Sequence, residues 1–485
     1  MSDSIKNKAV KGIGWSIVDN ISGSGITFIV GIILARILSP AEFGVIGILT
    51  ILIAVSNSIV DSGFSNALIR KKDANEIDYN TVFYVNVVLG GVMYLILFFS
   101  SPAIARFFEL PILVPTLRVI SLILIFNALA IIQKTKLVKA IDFKTQAKVS
   151  IIASLVSAAV GIGMALCGYG VWALVGQQLS RQFCNTLFLW LFNRWLPQWI
   201  YSWNSFKELF SFGFKLLLSG LTYTIYQNVY QFVIGKFYTK ETLGQYTRAL
   251  QFREALSTNL TFVIQRVTYP SLSAVQSNQA DLFLFFRKTV VFSTIFSSAL
   301  LLGLAAMAKP LLIVLIGEKW LPAVGYLQIL CFYGMAHPLY VLNSNILQVK
   351  GMAGLILKLE ILKQIVATIP LVIGMFTNIE AMLIGSVFSM WLSLLLNMFC
   401  AGKTIDYSLF SQLRDITRPL LFSSIAASVV WLLTLTTLPW IEMLILQILL
   451  GSFLLFVLYY FCDRKTLAEF RKIVVDLRNS RSNHK

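Results

Sequence analysis

The sequence predicts an all-α protein that crosses a membrane many times, and three observations carry this. Of 485 residues, 57% are apolar and only 13% charged, with a mean hydropathy of +0.78; soluble domains carry about 25% charged residues. Apolar runs of roughly 20 residues, the length a helix needs to span a bilayer, recur along the whole chain. These runs are continuous rather than alternating. They therefore read as helices, not as the strands of a barrel, the other structure that satisfies its own backbone in lipid.

The runs give fourteen spans, near 13–35, 43–63, 79–101, 113–133, 147–168, 170–193, 210–235, 244–270, 288–308, 322–347, 355–376, 378–402, 419–438 and 440–462. The first is longer than a signal-peptide core and has no A-x-A cleavage site, so it is a retained span. Outside the spans, 27 Lys and Arg residues fall on one side and six on the other: Arg36, Arg106, Lys236, Lys240, Lys309 and Lys319. The positive-inside rule makes the first side cytoplasmic, with both termini inside. The net charge of +18 is then mostly topology, and nucleic acid is not needed to explain it. The tail, 463–485, spaces Leu467, Phe470, Ile473, Val474 and Leu477 as an amphipathic helix with a basic opposite face. Such a helix lies on an anionic leaflet; a solvated tail is the alternative.

A short polar knot, ARILSPAEFG at 35–44, separates the first two spans. Pro40 is expected to stop a helix there, and Gly44 to allow a sharp turn into the next. The knot recurs as GKFYTKETLG at 235–244, an offset of 200 that pairs Arg36 with Lys236, Ser39 with Thr239, Phe43 with Leu243 and Gly44 with Gly244. Each knot sits between the first two spans of a six-span block. The expected organisation is two pseudo-symmetric six-helix lobes, 1–200 and 201–402, followed by two C-terminal helices (403–462) and the tail. Parallel repeats of this kind relate two halves about the membrane normal, with a substrate site between them.

The repeat also makes residues 243–270 a span, although that segment is too polar for lipid. Thr247, Gln251, Glu254, Thr258, Thr261, Gln265 and Thr268 recur at three- and four-residue steps, and Arg248, Arg253 and Arg266 add cations. One helix face is therefore polar, and such a helix must face protein or water. The seventh span carries Lys215, Ser219, Tyr223, Tyr226, Gln227 and Tyr230; the first carries Trp15, Asp19 and Ser22; the second carries Thr50, Asn57 and Asp61. Together these four spans outline a wet chamber with a cationic surplus. The planar fork of arginine suits phosphate, and tyrosine and amide groups suit sugar. The candidate substrate-binding residues are Arg248, Arg253, Arg266, Lys215, Tyr223, Tyr226, Gln227 and Gln251. Asp19, Asp61 and Glu254 either pair with the arginines or couple ions.

Other charges read more blandly. Glu360 and Lys363, three apart on a helix, form a pair, whereas Arg118 and Arg181 have no partner legible in the sequence. SGSG at 22–25 is either a bend point or a close-packing site. His337, before Pro338, marks a kink rather than a ligand. Five scattered cysteines without a C-x-x-C pair imply neither disulfides nor a metal site. There is no P-loop, Asp-x-Asp motif or large extramembrane loop, which argues against ATP hydrolysis and against a membrane glycosyltransferase or polysaccharide polymerase.

Trp15-Ser16, LARILSPAEFG, DSGFSNALIRKK at 61–72, NVVLGG at 86–91, RVTYPSLSAVQ at 266–276 and GEKWLPAVGYLQIL at 317–330 carry a family resemblance. With them the chain resembles bacterial polysaccharide flippases of the Wzx type, nearest the colanic-acid and teichuronic-acid exporter branch of the multidrug/oligosaccharidyl-lipid/polysaccharide (MOP) superfamily. The resemblance implies a fourteen-helix, two-lobed fold in the bacterial cytoplasmic membrane with a central cationic cavity. It further implies an undecaprenyl-diphosphate-linked oligosaccharide as substrate, moved to the periplasmic leaflet by alternating access. No cofactor is expected; ion or proton coupling stays open. Membrane lipids are expected partners, and glycan polymerases or glycosyltransferases are candidate ones. A drug or amphiphile exporter of the same superfamily is the alternative, but a cationic cargo calls for an acidic or apolar cavity.

Overall fold

Several helices start where the sequence supplies a cap or a proline, as after Asn75 and Asp142 and at Pro40. The computed structural model describes residues 3–464, and among these there is no strand. The chain forms two compact units, Met1–Thr247 and Arg248–Lys485. The first holds α1 (Asp3–Ile37), α2 (Pro40–Asp61), α3 (Phe64–Arg70), α4 (Glu76–Phe108), α5 (Leu113–Ile120), α6 (Leu122–Lys139), α7 (Phe143–Leu166), α8 (Val171–Asn193), α9 (Trp203–Phe237) and the first turns of α10 (Lys240–Ala274). The second holds the rest of α10, then α11 (Gln279–Ala306), α12 (Ala308–Ile316), α13 (Pro322–Val349), α14 (Ala353–Phe376), α15 (Ile379–Thr404), α16 (Leu409–Leu432) and α17 (Trp440–Cys462). Among the described residues, nine helical stretches are long and apolar enough to cross a membrane, and α10 is not one of them. The stretch expected as the fourth span is two helices, α5 and α6, meeting at Ser121. The amphipathic tail lies outside the described residues beyond Arg464.

The first knot is built differently from its sequence reading. Pro40 does not stop a helix; it is the first residue of α2, where a missing N–H costs nothing. Ser39 is the N-cap, and the Glu42 carboxylate accepts from its backbone N–H at 2.6 Å and its hydroxyl at 2.9 Å. In the second knot the Thr239 hydroxyl accepts from the Thr242 N–H at 3.2 Å. Gly44 and Gly244 do not turn the chain, because both lie inside helices and neither has a positive φ. Their role is close approach. A methyl group on Gly44 would lie 1.8 Å from the Lys240 carbonyl oxygen, and one on Gly244 would lie 1.8 Å from the Pro40 carbonyl oxygen. The first turns of α2 and α10 thus touch backbone to backbone, reciprocally, at the offset of the sequence repeat.

Helix boundaries also pair, at offsets of 200 and 210. α1 and α9 end at Ile37 and Phe237. α7 and α14 are both 24 residues long and begin at Phe143 and Ala353. Each of the latter two is preceded, two residues earlier, by a left-handed residue: Ile141 at φ 58 and Gly351 at φ 71.

Between α8 and α9 the chain is laid onto the start of α4. Asn80 Oδ1 accepts from the Gln198 N–H at 2.6 Å, Thr81 Oγ1 accepts from the Ser202 N–H at 3.1 Å, and Trp195 Nε1 donates to Glu76 at 2.8 Å. Trp199, 94% exposed, stacks on Tyr84 at 5.5 Å, a placement suited to the interfacial layer where tryptophan concentrates.

Asp78 anchors the same end. It is buried, accepts from Lys71 Nζ and the Asn75 N–H at 3.1 Å, and accepts from the Ser205 hydroxyl. Burial works against the Lys71 charge, but its bonds to Glu208 and Asp78 outweigh that and hold the ammonium above the usual lysine value. Asp78→Asn puts an amide where donors converge and is expected to cost about 2 kcal/mol, read as a lower midpoint in thermal unfolding of the detergent-solubilised protein.

In the second unit the core is built from α10, α11, α13, α15 and α16, with Leu272, Phe286, Leu339, Leu394 and Ile416 buried together. Arg287 donates to both oxygens of Asp415 at 2.6 and 2.9 Å, and the buried Tyr407 hydroxyl donates to the same carboxylate at 2.6 Å.

Candidate functional site

The candidate residues fall in both compact units. In the first, α9 carries its polar positions on its surface: Lys215 and Gln227 are exposed, Tyr223 is 64% exposed, and Tyr226 and Tyr230 are half-buried. α2 joins this helix through polar groups, with Ser58 Oγ 3.0 Å from Thr224 Oγ1. The other polar groups of α2 serve local structure. Asn57 accepts from Asn127 Nδ2 at 2.9 Å, and the half-buried Asp61 accepts from the Ser65 hydroxyl at the start of α3. Asp19 of α1 is half-buried and acts electrostatically on Arg181 of α8, whose Nη1 donates to Thr27 Oγ1 at 3.0 Å. Arg118 is also accommodated: its guanidinium sits 4.4 Å from the centre of the Phe98 ring and donates to Ser101 Oγ at 3.0 Å.

α10 is one uninterrupted helix even though Pro270 lies inside it. Its polar positions divide. Gln251, Glu254, Thr258 and Gln265 are exposed, while Thr247, Thr261 and Thr268 are buried. Thr247 and Thr261 donate their hydroxyls to the carbonyls one turn back, at 2.7 and 2.8 Å.

The arginines of α10 are held inside. Arg248 is 5% exposed, donates to Gln251 Oε1 at 2.7 Å and lies 6.0 Å from the centre of the fully buried Trp320 ring. Arg253 is 9% exposed, pairs with Glu254 at 3.2 Å and lies 5.3 Å from the Tyr333 ring centre. Its stem runs so close over α13 that a methyl group on Gly334 would meet Cδ at 2.8 Å. Its Nε is buried with no hydrogen-bond partner. Arg266 is half-buried, 5.6 Å from the Phe262 ring centre. The carboxylate of Glu254 thus serves its neighbour Arg253, the pairing left open by the sequence.

A polar cluster beside α10 was only partly legible. α13 runs unbroken through His337 and Pro338, and His337 Nδ1 lies 3.3 Å from Thr261 Oγ1. One turn on, Tyr340 meets the expected Glu360–Lys363 pair of α14. The i, i+3 spacing revealed that pair; nothing in the local sequence pointed to Tyr340 or to Asn397 of α15. Among the described residues no group of His, Cys, Asp and Glu is arranged to hold a metal ion.

The family model described as "Polysaccharide biosynthesis protein" matches residues 33–325. Teichuronic acid biosynthesis protein TuaB of Bacillus subtilis (strain 168) is 27% identical over 299 residues, 61% of this chain and 62% of that protein, so the chain spans under two thirds of it. Lipopolysaccharide biosynthesis protein WzxC of Escherichia coli (strain K12) is 23% identical over 377 residues, 76% of each protein. Among solved structures, lipid II flippase MurJ in its inward closed conformation superposes with a TM-score of 0.70 at 16% identity, covering 96% of this chain and 100% of that one. At that identity the likeness is one of fold. With more than half its length matched by the family model, this multi-pass membrane protein belongs to the polysaccharide biosynthesis protein family.

Proposed function

We propose that the protein is a transporter, not an enzyme, that flips an undecaprenyl-diphosphate-linked oligosaccharide from the cytoplasmic to the outer leaflet of the bacterial cytoplasmic membrane by alternating access. The observation that carries this reading is α10: a continuous helix, too polar for lipid, that buries Arg248 and Arg253 with the Nε of Arg253 left without a hydrogen-bond partner. A buried guanidinium with unused donor capacity is suited to a phosphate oxygen. In this reading the apolar runs make fourteen crossings, the repeat makes two six-helix lobes, and the basic-residue asymmetry puts both termini in the cytoplasm; the paired helix boundaries at offsets of 200 and 210 support the repeat. In this reading α1, α2, α9 and α10 line a cationic cavity. Lys215, Arg248, Arg253 and Arg266 serve the diphosphate, and Tyr223, Tyr226, Gln227 and Gln251 serve the sugar. TuaB and WzxC bear names of polysaccharide assembly, consistent with an anionic lipid-linked glycan rather than a cationic drug.

Two measurements test this. Cells lacking the protein are expected to accumulate a lipid-linked oligosaccharide on the cytoplasmic leaflet, identifiable by mass analysis; no accumulation contradicts the reading. Single cysteines at Gln251, Glu254 and Thr258 are expected to react with a small aqueous thiol reagent from at least one side of the membrane. Labelling of all three only as cytosolic loop residues, with no protection by added substrate, refutes a spanning α10.

A further inference from the structure

We infer that the outer face of α16, with the end of α17, binds the head group of an anionic phospholipid in the cytoplasmic leaflet. The inference goes beyond the transport reading and holds whatever the cargo is. α16 has two unlike faces. Gln412, Ile416, Pro419, Ser423, Ala426 and Val430 are buried and share one side at helical spacing. The opposite side carries Phe410, 78% exposed, then Arg414, Arg418, Leu421 and Ile425, all exposed. From Pro419 to Ile441 the sequence holds no charged residue. Arg418 therefore borders the hydrophobic stretch, and Arg414 stands one turn outside it. That order along the helix fixes their depth: they sit at the edge of the apolar layer, not within it.

α17 marks the same level from a second helix. It runs antiparallel to α16: Gln447 Nε2 donates to the Val430 carbonyl at 3.0 Å, and the Phe422 and Tyr459 rings meet edge to face at 5.2 Å. Tyr460, in the last turn of α17, and Arg464, just beyond it, thus stand at the arginine end of α16. Arg464 Nε donates to the Tyr460 carbonyl at 3.2 Å, and its guanidinium lies 5.2 Å from that ring's centre. Both residues are exposed. Tyrosine at the end of an apolar helix marks the head-group layer, and long basic side chains there extend toward it.

The protein does not neutralise these cations itself. Asp415 is held by both forks of Arg287 and by the Tyr407 hydroxyl, and Arg414 acts on it only at longer range. Among the described residues neither Arg414 nor Arg418 forms an ion pair, with Asp463 or any other carboxylate. Four guanidiniums, those of Arg287, Arg414, Arg418 and Arg464, stand against two carboxylates, those of Asp415 and Asp463. The chain that follows adds Lys465, Arg471, Lys472, Arg478, Arg481 and Lys485 against Glu469 and Asp476, so the tail increases the positive surplus. A phospholipid supplies what is missing. Its phosphate oxygens match the guanidinium forks, which start about 6 Å apart along the helix. Its acyl chains continue over Leu421 and Ile425. The surplus selects a head group of net negative charge over a zwitterionic one.

The test titrates the full-length protein, in a neutral detergent, with phosphatidylglycerol or phosphatidylcholine and counts bound lipids by native mass spectrometry. Wild type is expected to retain phosphatidylglycerol at about a tenth of the concentration needed for phosphatidylcholine. The double variant Arg414→Gln/Arg418→Gln is expected to hold one phosphatidylglycerol fewer at the same concentration. Equal affinity of wild type for the two lipids, or an unchanged count in the double variant, overturns the inference. Displacement of the bound lipid by inorganic phosphate makes this a free-phosphate site, and preference for a polyprenyl diphosphate makes it a cargo site; either result overturns the inference too. So does a phosphatidylglycerol bound only after residues 465–485 are deleted, since the tail is then the occupant. Should the double variant not fold, Arg418→Gln decides. Loss of one charge-assisted hydrogen bond is expected to weaken phosphatidylglycerol binding about tenfold, and unchanged binding is equally fatal.

Discussion

Gly44→Ala is expected to uncouple α2 from α10 and abolish export, and Gly244→Ala to do the same. The added methyl would sit 1.8 Å from a backbone carbonyl oxygen in either case, with the carbonyl carbon at 2.6 Å for Gly44 and 2.7 Å for Gly244. A flexible side chain could move aside, but the obstacle here is the main chain of a helix's first turn. Overpacking costs about 1–3 kcal/mol when neighbours can adjust, so a clash with rigid backbone is expected at or above the top of that range. Thermal unfolding in detergent measures it. The reciprocity supplies a sharper check. Once the helices are forced apart by one methyl, the second adds little, so the double variant should cost clearly less than the sum of the singles. Full additivity, or wild-type stability in either single variant, contradicts the contact.

Arg248→Ala and Arg253→Ala are expected to remove export while leaving the protein inserted. A charge-assisted hydrogen bond is worth about 1.5–3 kcal/mol, so losing one at a diphosphate predicts roughly a ten- to hundredfold fall in transport. Arg253 also packs its stem over Gly334, and truncation removes that contact with the charge. Arg253→Lys separates the two effects: it restores length and charge but not the planar fork that grips two phosphate oxygens. Transport is expected to recover only partly. The readout is the lipid-linked oligosaccharide retained on the cytoplasmic leaflet, with membrane insertion checked in parallel. Wild-type transport by both alanine variants rules out the diphosphate role.

What could be read in advance was what repeats or has a period. Continuous apolar runs declare helices because lipid leaves the backbone no other partner, and the runs found here coincide with helices through α17. The polar stripe of α10 was legible because its residues share a helical face, and the Glu360–Lys363 pair because three residues bring side chains together. The roles of Gly44 and Pro40 were not. A glycine that turns a chain and a glycine that lets two backbones touch look identical in a sequence, and so do a proline that ends one helix and a proline that begins the next.

By itself, the sequence determined the helical class, the repeat, the direction of the basic asymmetry and which helix carries the polar groups, since all of these are properties of order along one chain. Tertiary structure alone decided which charges are buried and with whom: Arg253 with Glu254 and Tyr333, and Lys363 with Glu360, Tyr340 and Asn397. Burial and hydrogen bonding depend on distances between helices far apart in sequence, and no local pattern encodes them.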